Sequence, residues 1–201
     1  MLQPVVERNL QRRVSYFDTS SEFYPFVAHC RSQHAETFFT QEVSTMSDSI
    51  RQRVHALGLT LPTPSQPAAN YINHVISQNQ LFVSGQIPMV DGKPAYIGRL
   101  GESLSDAEGA QAAELAALGL LGQLSDAVGD DLSRVVRILR LGVFIASSGD
   151  FQHQSVVANG ASNLVVNALG DKGRHVRTAV GVSSLPAGVA VEVDAIFELQ
   201  P

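Results

Sequence analysis

The sequence runs to 201 residues, 44% hydrophobic and 16% charged, with 14 basic against 19 acidic side chains, one cysteine and no tryptophan. That length supports one globular core with some excess, and a lone Cys30 excludes both an intramolecular disulfide and a cysteine-based zinc site. A net charge of −5 opposes general attraction to polyanions. No stretch nears the roughly 20 uninterrupted apolar residues of a membrane span, and the N-terminus lacks the apolar core of a secretory signal, so a cytoplasmic protein without membrane contact is expected.

The excess lies at the N-terminus. Residues 1–45 hold none of the 16 glycines but five of the nine phenylalanines, two of the four tyrosines and the only cysteine. From Met46 the composition changes, which makes Met46 a natural start for the folded unit, residues 46–201. Residues 1–45 are then either an upstream addition or an arm that docks its aromatics on the domain. Just past the break, Ser47 or Ser49 can cap a short helix that shows Ile50, Val54 and Leu57 on one face and ends at Gly58.

Further along, residues 71–77 and 81–87 read as two strands joined by the polar turn Gln78-Asn79-Gln80. The Asp91-Gly92 turn leads to a third strand around 95–97. Ser105 and Glu108 have the spacing of a capping box, and positions 113, 117, 120, 121, 124 and 128 trace one helical face up to Gly129. Residues 134–147, dense in Val, Ile, Leu and Phe, predict a strand buried on at least one side. A second helix is expected over 151–169, with Val157, Ala161, Leu164, Val165 and Ala168 inward and Gly170 at its end. Two final strands, 176–183 and 189–199, flank the turn Leu185-Pro186-Ala187-Gly188. The order βββαβαββ predicts an α+β fold, a mixed sheet with both helices packed on one face. A sheet this lean in charge needs cover on its other face too, and self-association is the expected cover.

The common catalytic signatures are missing: no nucleophile elbow, no Walker loop, no dinucleotide-binding glycine fingerprint and no His-Glu-x-x-His. His55, His74, His153 and His175 have no spacing that sets two on one helix face, which argues against a metal site. Three features stand out. Ser84 and Gly85 end an apolar strand where a ligand or another backbone can come close, or where a glycine bulge is simply satisfied by Ser84. Asn159 and Gly160 sit inside a helix that both weaken, chosen either for function or for a tight helix-to-sheet contact. Arg177 lies among Val176, Ala179, Val180 and Val182, where a guanidinium needs an anionic partner. If the last two strands form a hairpin, Glu192 faces Arg177. The pair is then a structural ion bridge, or Arg177 forks onto a ligand carboxylate while Glu192 handles a water.

The stretches Leu81-Phe82-Val83-Ser84-Gly85-Gln86-Ile87-Pro88, Arg177 followed by Leu185-Pro186, and Val191-Glu192-Val193-Asp194-Ala195-Ile196 resemble the RidA family, also called the YjgF or L-PSP endoribonuclease-like family. The resemblance spans roughly residues 58–200. It is to a divergent branch that carries Asn159-Gly160-Ala161-Ser162 and Gly170-x-x-Gly173-x-His175-x-Arg177. It implies a chorismate-mutase-like fold, a homotrimer with clefts between subunits, and hydrolysis of reactive 2-enamino and 2-imino acids to 2-oxo acids and ammonia without a cofactor. Carried over by position, Arg177 holds the substrate carboxylate, Glu192 helps place the water, and Tyr71, Ser84 and Asn159 line the cleft. The chain departs from the family in having Ala179 where many members have cysteine, and Ala69-Asn70-Tyr71-Ile72 in place of a glycine-proline-tyrosine-serine stretch. A non-catalytic trimer that binds a small carboxylate metabolite is the second expectation. Endoribonuclease activity comes third, with Arg134, Arg137, Arg140, Lys172, Arg174 and Arg177 as its best basic residues.

Overall fold

The computed structural model describes residues 48–64 and 69–201; the expectation for residues 1–45 lies outside them. The first helix, α1 (Ile50–Ala56), is capped as expected: Ser49 Oγ accepts from the Gln52 N–H at 3.1 Å. Its Ile50 and Val54 are fully buried. Asp130 ties α1 to the chain beyond the second helix by accepting hydrogen bonds from Ser49 Oγ (2.6 Å), Arg51 N (2.9 Å) and Ser125 Oγ (2.8 Å). Burial pushes the Asp130 carboxyl up, but these three donors outweigh it and leave the group below its ordinary range.

Strands β1 (His74–Ser77) and β2 (Gln80–Gln86) form the expected hairpin, with Ser77 opposite Gln80, so the turn is only Gln78-Asn79. A small second sheet pairs β3 (Met89–Val90) with β4 (Lys93–Pro94) across Asp91-Gly92. Both turn residues have positive φ, 50° and 73°, as a two-residue hairpin turn requires. The third strand expected at 95–97 does not form. Pro94 brings no N–H to extend the ladder, Tyr96 turns the backbone at φ 56°, and Ile97 makes only an isolated bridge to Val189.

The long helix α2 (Asp106–Val128) has the full capping box between Ser105 and Glu108 and ends at Gly129, φ 68°. Every residue of its expected face, Ala113, Ala117, Leu120, Leu121, Leu124 and Val128, is buried. Strand β5 (Val135–Ala146) leads into α3 (Gln154–Leu169), which packs beside α2. The five inward residues expected of α3 are all buried. Gly160 permits the closest approach, but to α2 rather than to the sheet: a Cβ there would overlap the Ala110 carbonyl. The tight contact is thus helix to helix, because α2 and α3 lie side by side on the one face of the sheet that they share.

The last two strands, β6 (Val176–Val182) and β7 (Val191–Leu199), are not a hairpin. The main sheet runs β1-β2-β7-β5-β6. β7 is antiparallel to both β2 and β5, whereas β6 is parallel to β5 and forms an edge. A parallel neighbour needs a crossover, and α3 supplies it. The 3₁₀ turn Pro186–Gly188 then begins a connection that carries the chain past β5 instead of folding it back on β6. Val191, Val193, Ala195, Phe197 and Leu199 point under the helices into the core, and the intervening residues of β7 point to the opposite, open face. Among the described residues no helix is long and apolar enough to cross a membrane.

Candidate functional site

Arg177 lies on the helix side of β6. Its Nη1 donates to Asn159 Oδ1 and to Ser162 Oγ, both at 3.0 Å, and its Nη2 donates to the Ser155 carbonyl at 3.3 Å. Ser155, Asn159 and Ser162 follow at i, i+4 and i+7 on α3, so one stripe of that helix receives the guanidinium. Asn159 and Arg177, two of the expected site residues, are therefore joined directly. Ser162 was marked in the sequence only as the end of the Asn159–Ser162 motif, without a role, and Ser155 was not marked, although the helical spacing of both with Asn159 was legible there. Ser162 also meets His175 Nε2 at 3.0 Å.

Glu192 is elsewhere. In register, Arg177 is opposite Leu141 and hence in line with Ala195, both core residues, whereas Glu192 is opposite Phe144 on the open face. Two strand spacings of about 4.8 Å and the thickness of the sheet separate them. Neither the ion bridge nor the shared fork expected of Arg177 and Glu192 exists within one chain, because β5 stands between their strands.

What Glu192 does meet is the end of β2. Between Val83 and Gln86 the β2–β7 register slips, so Ser84 and Gly85 bulge opposite one residue of β7. The Glu192 carboxylate lies where a side chain on Gly85 would stand. Ser84 does not satisfy the bulge. The Gln86 amide does, donating to the carbonyls of Ser84 (3.2 Å) and Gly85 (3.3 Å), while Ser84 Oγ is buried with no hydrogen-bond partner. Burial pushes the Glu192 carboxyl up, and the neighbouring charge of Asp194 adds to the effect. Asp194 itself pairs with Arg140 at 3.1 Å, across a strand position that only Gly142 leaves open. Tyr71 is half-exposed and sits just before the edge strand β1, next to β2.

The expected residues thus fall into two groups: Arg177 and Asn159 at the β6 edge, and Ser84, Glu192 and Tyr71 toward the β1–β2 edge. About 14 Å of sheet lies between β2 and β6. A cleft of about 290 Å³ lined by Gln86, Leu118 and Gln123 holds neither Arg177 nor Glu192. The other basic residues considered for nucleic acid are each engaged. Arg137, Arg140 and Arg174 face Glu198, Asp194 and Asp171. Lys172 and Arg134 donate to the carbonyls of Leu132 and Val128.

The family model described as "YjgF/chorismate_mutase-like, putative endoribonuclease" matches residues 51–198. Protein TCP17 of Trypanosoma cruzi is 47% identical over 154 residues, covering 76% of this chain and 96% of that protein. The crystal structure of Atu1372 from Agrobacterium tumefaciens, a protein of unknown function, superposes with a TM-score of 0.72 at 46% identity, over 77% of this chain and 95% of the other. A "putative endoribonuclease" from Shewanella oneidensis has the same TM-score at 33% identity, over 75% and 99% of the two chains.

Proposed function

Because the chain belongs to the YjgF/chorismate mutase-like family, we propose that it hydrolyses reactive 2-imino and 2-enamino acids to 2-oxo acids and ammonia in a cleft between two copies of itself. The observation that carries this reading is the separation of the two groups. Arg177, held by Asn159, Ser162 and the Ser155 carbonyl, is a carboxylate anchor on one edge. Glu192, with Ser84 and Gly85 beside it, is a proton acceptor toward the other. A small acid cannot touch both within one chain. A closed ring of copies, a trimer in this reading, sets the β6 edge of one against the β1–β2 side of the next, and its contacts cover the apolar open face.

In such a cleft the substrate reacts as its protonated iminium form: its carboxylate docks on Arg177 and C2 faces a water held by Glu192. As the water oxygen bonds to C2, the C=N π pair moves to nitrogen and Glu192 takes the water's proton. Returning that proton to nitrogen makes ammonia a leaving group. The carbinolamine then collapses: the C2–N bond breaks, an oxygen lone pair forms the carbonyl, and the hydroxyl proton is lost to solvent. An enamine enters the same path after protonation at C3. The iminium carbon is electrophilic enough that placement of water and substrate is the main task, so the chain needs no cofactor of its own.

The test is a coupled assay in which threonine dehydratase generates the imine in situ and 2-oxobutanoate release is followed. The expected result is acceleration by the protein, with kcat/KM falling about 100-fold in Arg177→Ala. Tight 2-oxobutanoate binding without acceleration would make the protein a carboxylate-binding module instead. RNA cleavage that survives Arg177→Ala in homogeneous protein would favour the endoribonuclease reading that the family description carries.

A further inference from the structure

Arg177 stands at the end of a run of hydrogen bonds that passes through Ser162 to His175. At one end, His175 Nδ1 lies 2.6 Å from the Gly173 carbonyl. A carbonyl only accepts, so Nδ1 carries a proton; where that is the single proton of the ring, Nε2 is an acceptor. Ser162 Oγ, 3.0 Å from Nε2, in that state donates its one proton there. Its lone pairs are then free for Arg177 Nη1 at 3.0 Å, and a guanidinium only donates. The origin of the run is rigid. A Cβ on buried Gly173 would stand 2.5 Å from the Val165 carbonyl, so this turn is pressed against α3, the helix that bears Ser162.

The run also selects which edge of the guanidinium a ligand meets. Nη1 is consumed by Ser162 and Asn159, and one Nη2 proton goes to the Ser155 carbonyl. The edge away from Nη1 is formed by the Nε–H and the Nη2 proton beside it, which are parallel in the plane of the group and match the two oxygens of a carboxylate.

We infer that His175 and Ser162 are positioning residues that lock Arg177 so that its Nε–Nη2 edge is presented, side-on, to the carboxylate of the ligand. Neither touches the ligand; both act through the arginine. The inference rests on Arg177 being the carboxylate anchor, and the test separates the two ideas. Full-length protein is titrated calorimetrically with 2-oxobutanoate, and the His175 ring nitrogens are observed by ¹⁵N NMR. Ser162→Ala and His175→Ala should each weaken binding about tenfold, and the double variant no more than either alone, because they break one run of bonds. Ser162→Thr and His175→Gln, which keep a hydroxyl and an acceptor, should recover most of the affinity. The ring should be the Nδ1–H tautomer. An Nε2–H ring would overturn the inference even if a variant failed to fold. So would Ala variants that bind as well as the unaltered protein while Arg177→Ala does not. If the unaltered protein binds no 2-oxobutanoate, or Arg177→Ala binds it equally well, the anchor role fails and the inference falls with it.

Discussion

At the scale of single residues, Gly85 and Glu192 depend on each other. The Glu192 carboxylate occupies the space a β-carbon on Gly85 would take, and the far end of a flexible side chain can be displaced without disturbing the core. Gly85→Ala should therefore lower turnover about tenfold while changing stability by only about 0.5 kcal/mol, as read from paired kinetic and melting measurements. Glu192 also carries a pH signature. Burial and the Asp194 charge raise its carboxyl above the ordinary 4.5. Above that value the folded chain therefore binds a proton that the unfolded chain has released, and stability falls as pH rises through the folded pKa. Glu192→Gln should flatten the decline in melting temperature from pH 4.5 toward neutrality; an unchanged slope would assign the decline to another group. Arg177 and Gly85 were both conspicuous in the sequence, because a cation and a glycine in apolar strands need a reason. Their partners were not, since an ion bridge to Glu192 and a fork on Asn159 and Ser162 leave the same local pattern.

At the scale of elements, the interface between α2 and α3 is set by small side chains. Ala112, Ala113, Ala116 and Ala117 are all buried on α2, and Gly160 lets α3 come against the Ala110 carbonyl. Backbone cannot give way as a flexible side chain does. Gly160→Ala should thus cost about 2 kcal/mol in denaturant unfolding despite alanine's better helix propensity. A stabilised variant would mean that the helices are less closely apposed. The helices themselves were legible from caps and periodicity: Ser49, the Ser105–Glu108 box, Gly129 and the 3.6-residue apolar stripes all lie where the sequence predicts. The short β3–β4 pair was not, because Asp91-Gly92 announces a turn without saying how many residues pair beyond it.

At the scale of the whole molecule, the open face of the sheet keeps Val75 47%, Phe82 38% and Val180 39% exposed, on the side away from α2 and α3. If copies meet there and share their sites, inactive variants should complement each other. Co-refolded Arg177→Ala and Glu192→Gln chains should regain about a quarter of full activity, since random mixing pairs an intact arginine edge with an intact glutamate about that often. A mixture as inactive as its components would place the whole site in one chain. Phe82→Asp should shift the sedimentation of the protein to that of a single chain, and an unshifted species would leave that face with another role.

The helices, the β1–β2 hairpin and the family were readable in the chain alone, because caps, periodicity and motif order are local properties. Pairing is not local. Whether β6 folds back on β7 or crosses over to lie parallel to β5 depends on where α3 packs, and a Leu-Pro-Ala-Gly turn is compatible with both. Only the tertiary structure placed β5 between them, and that insertion puts Arg177 under the helices and Glu192 on the open face.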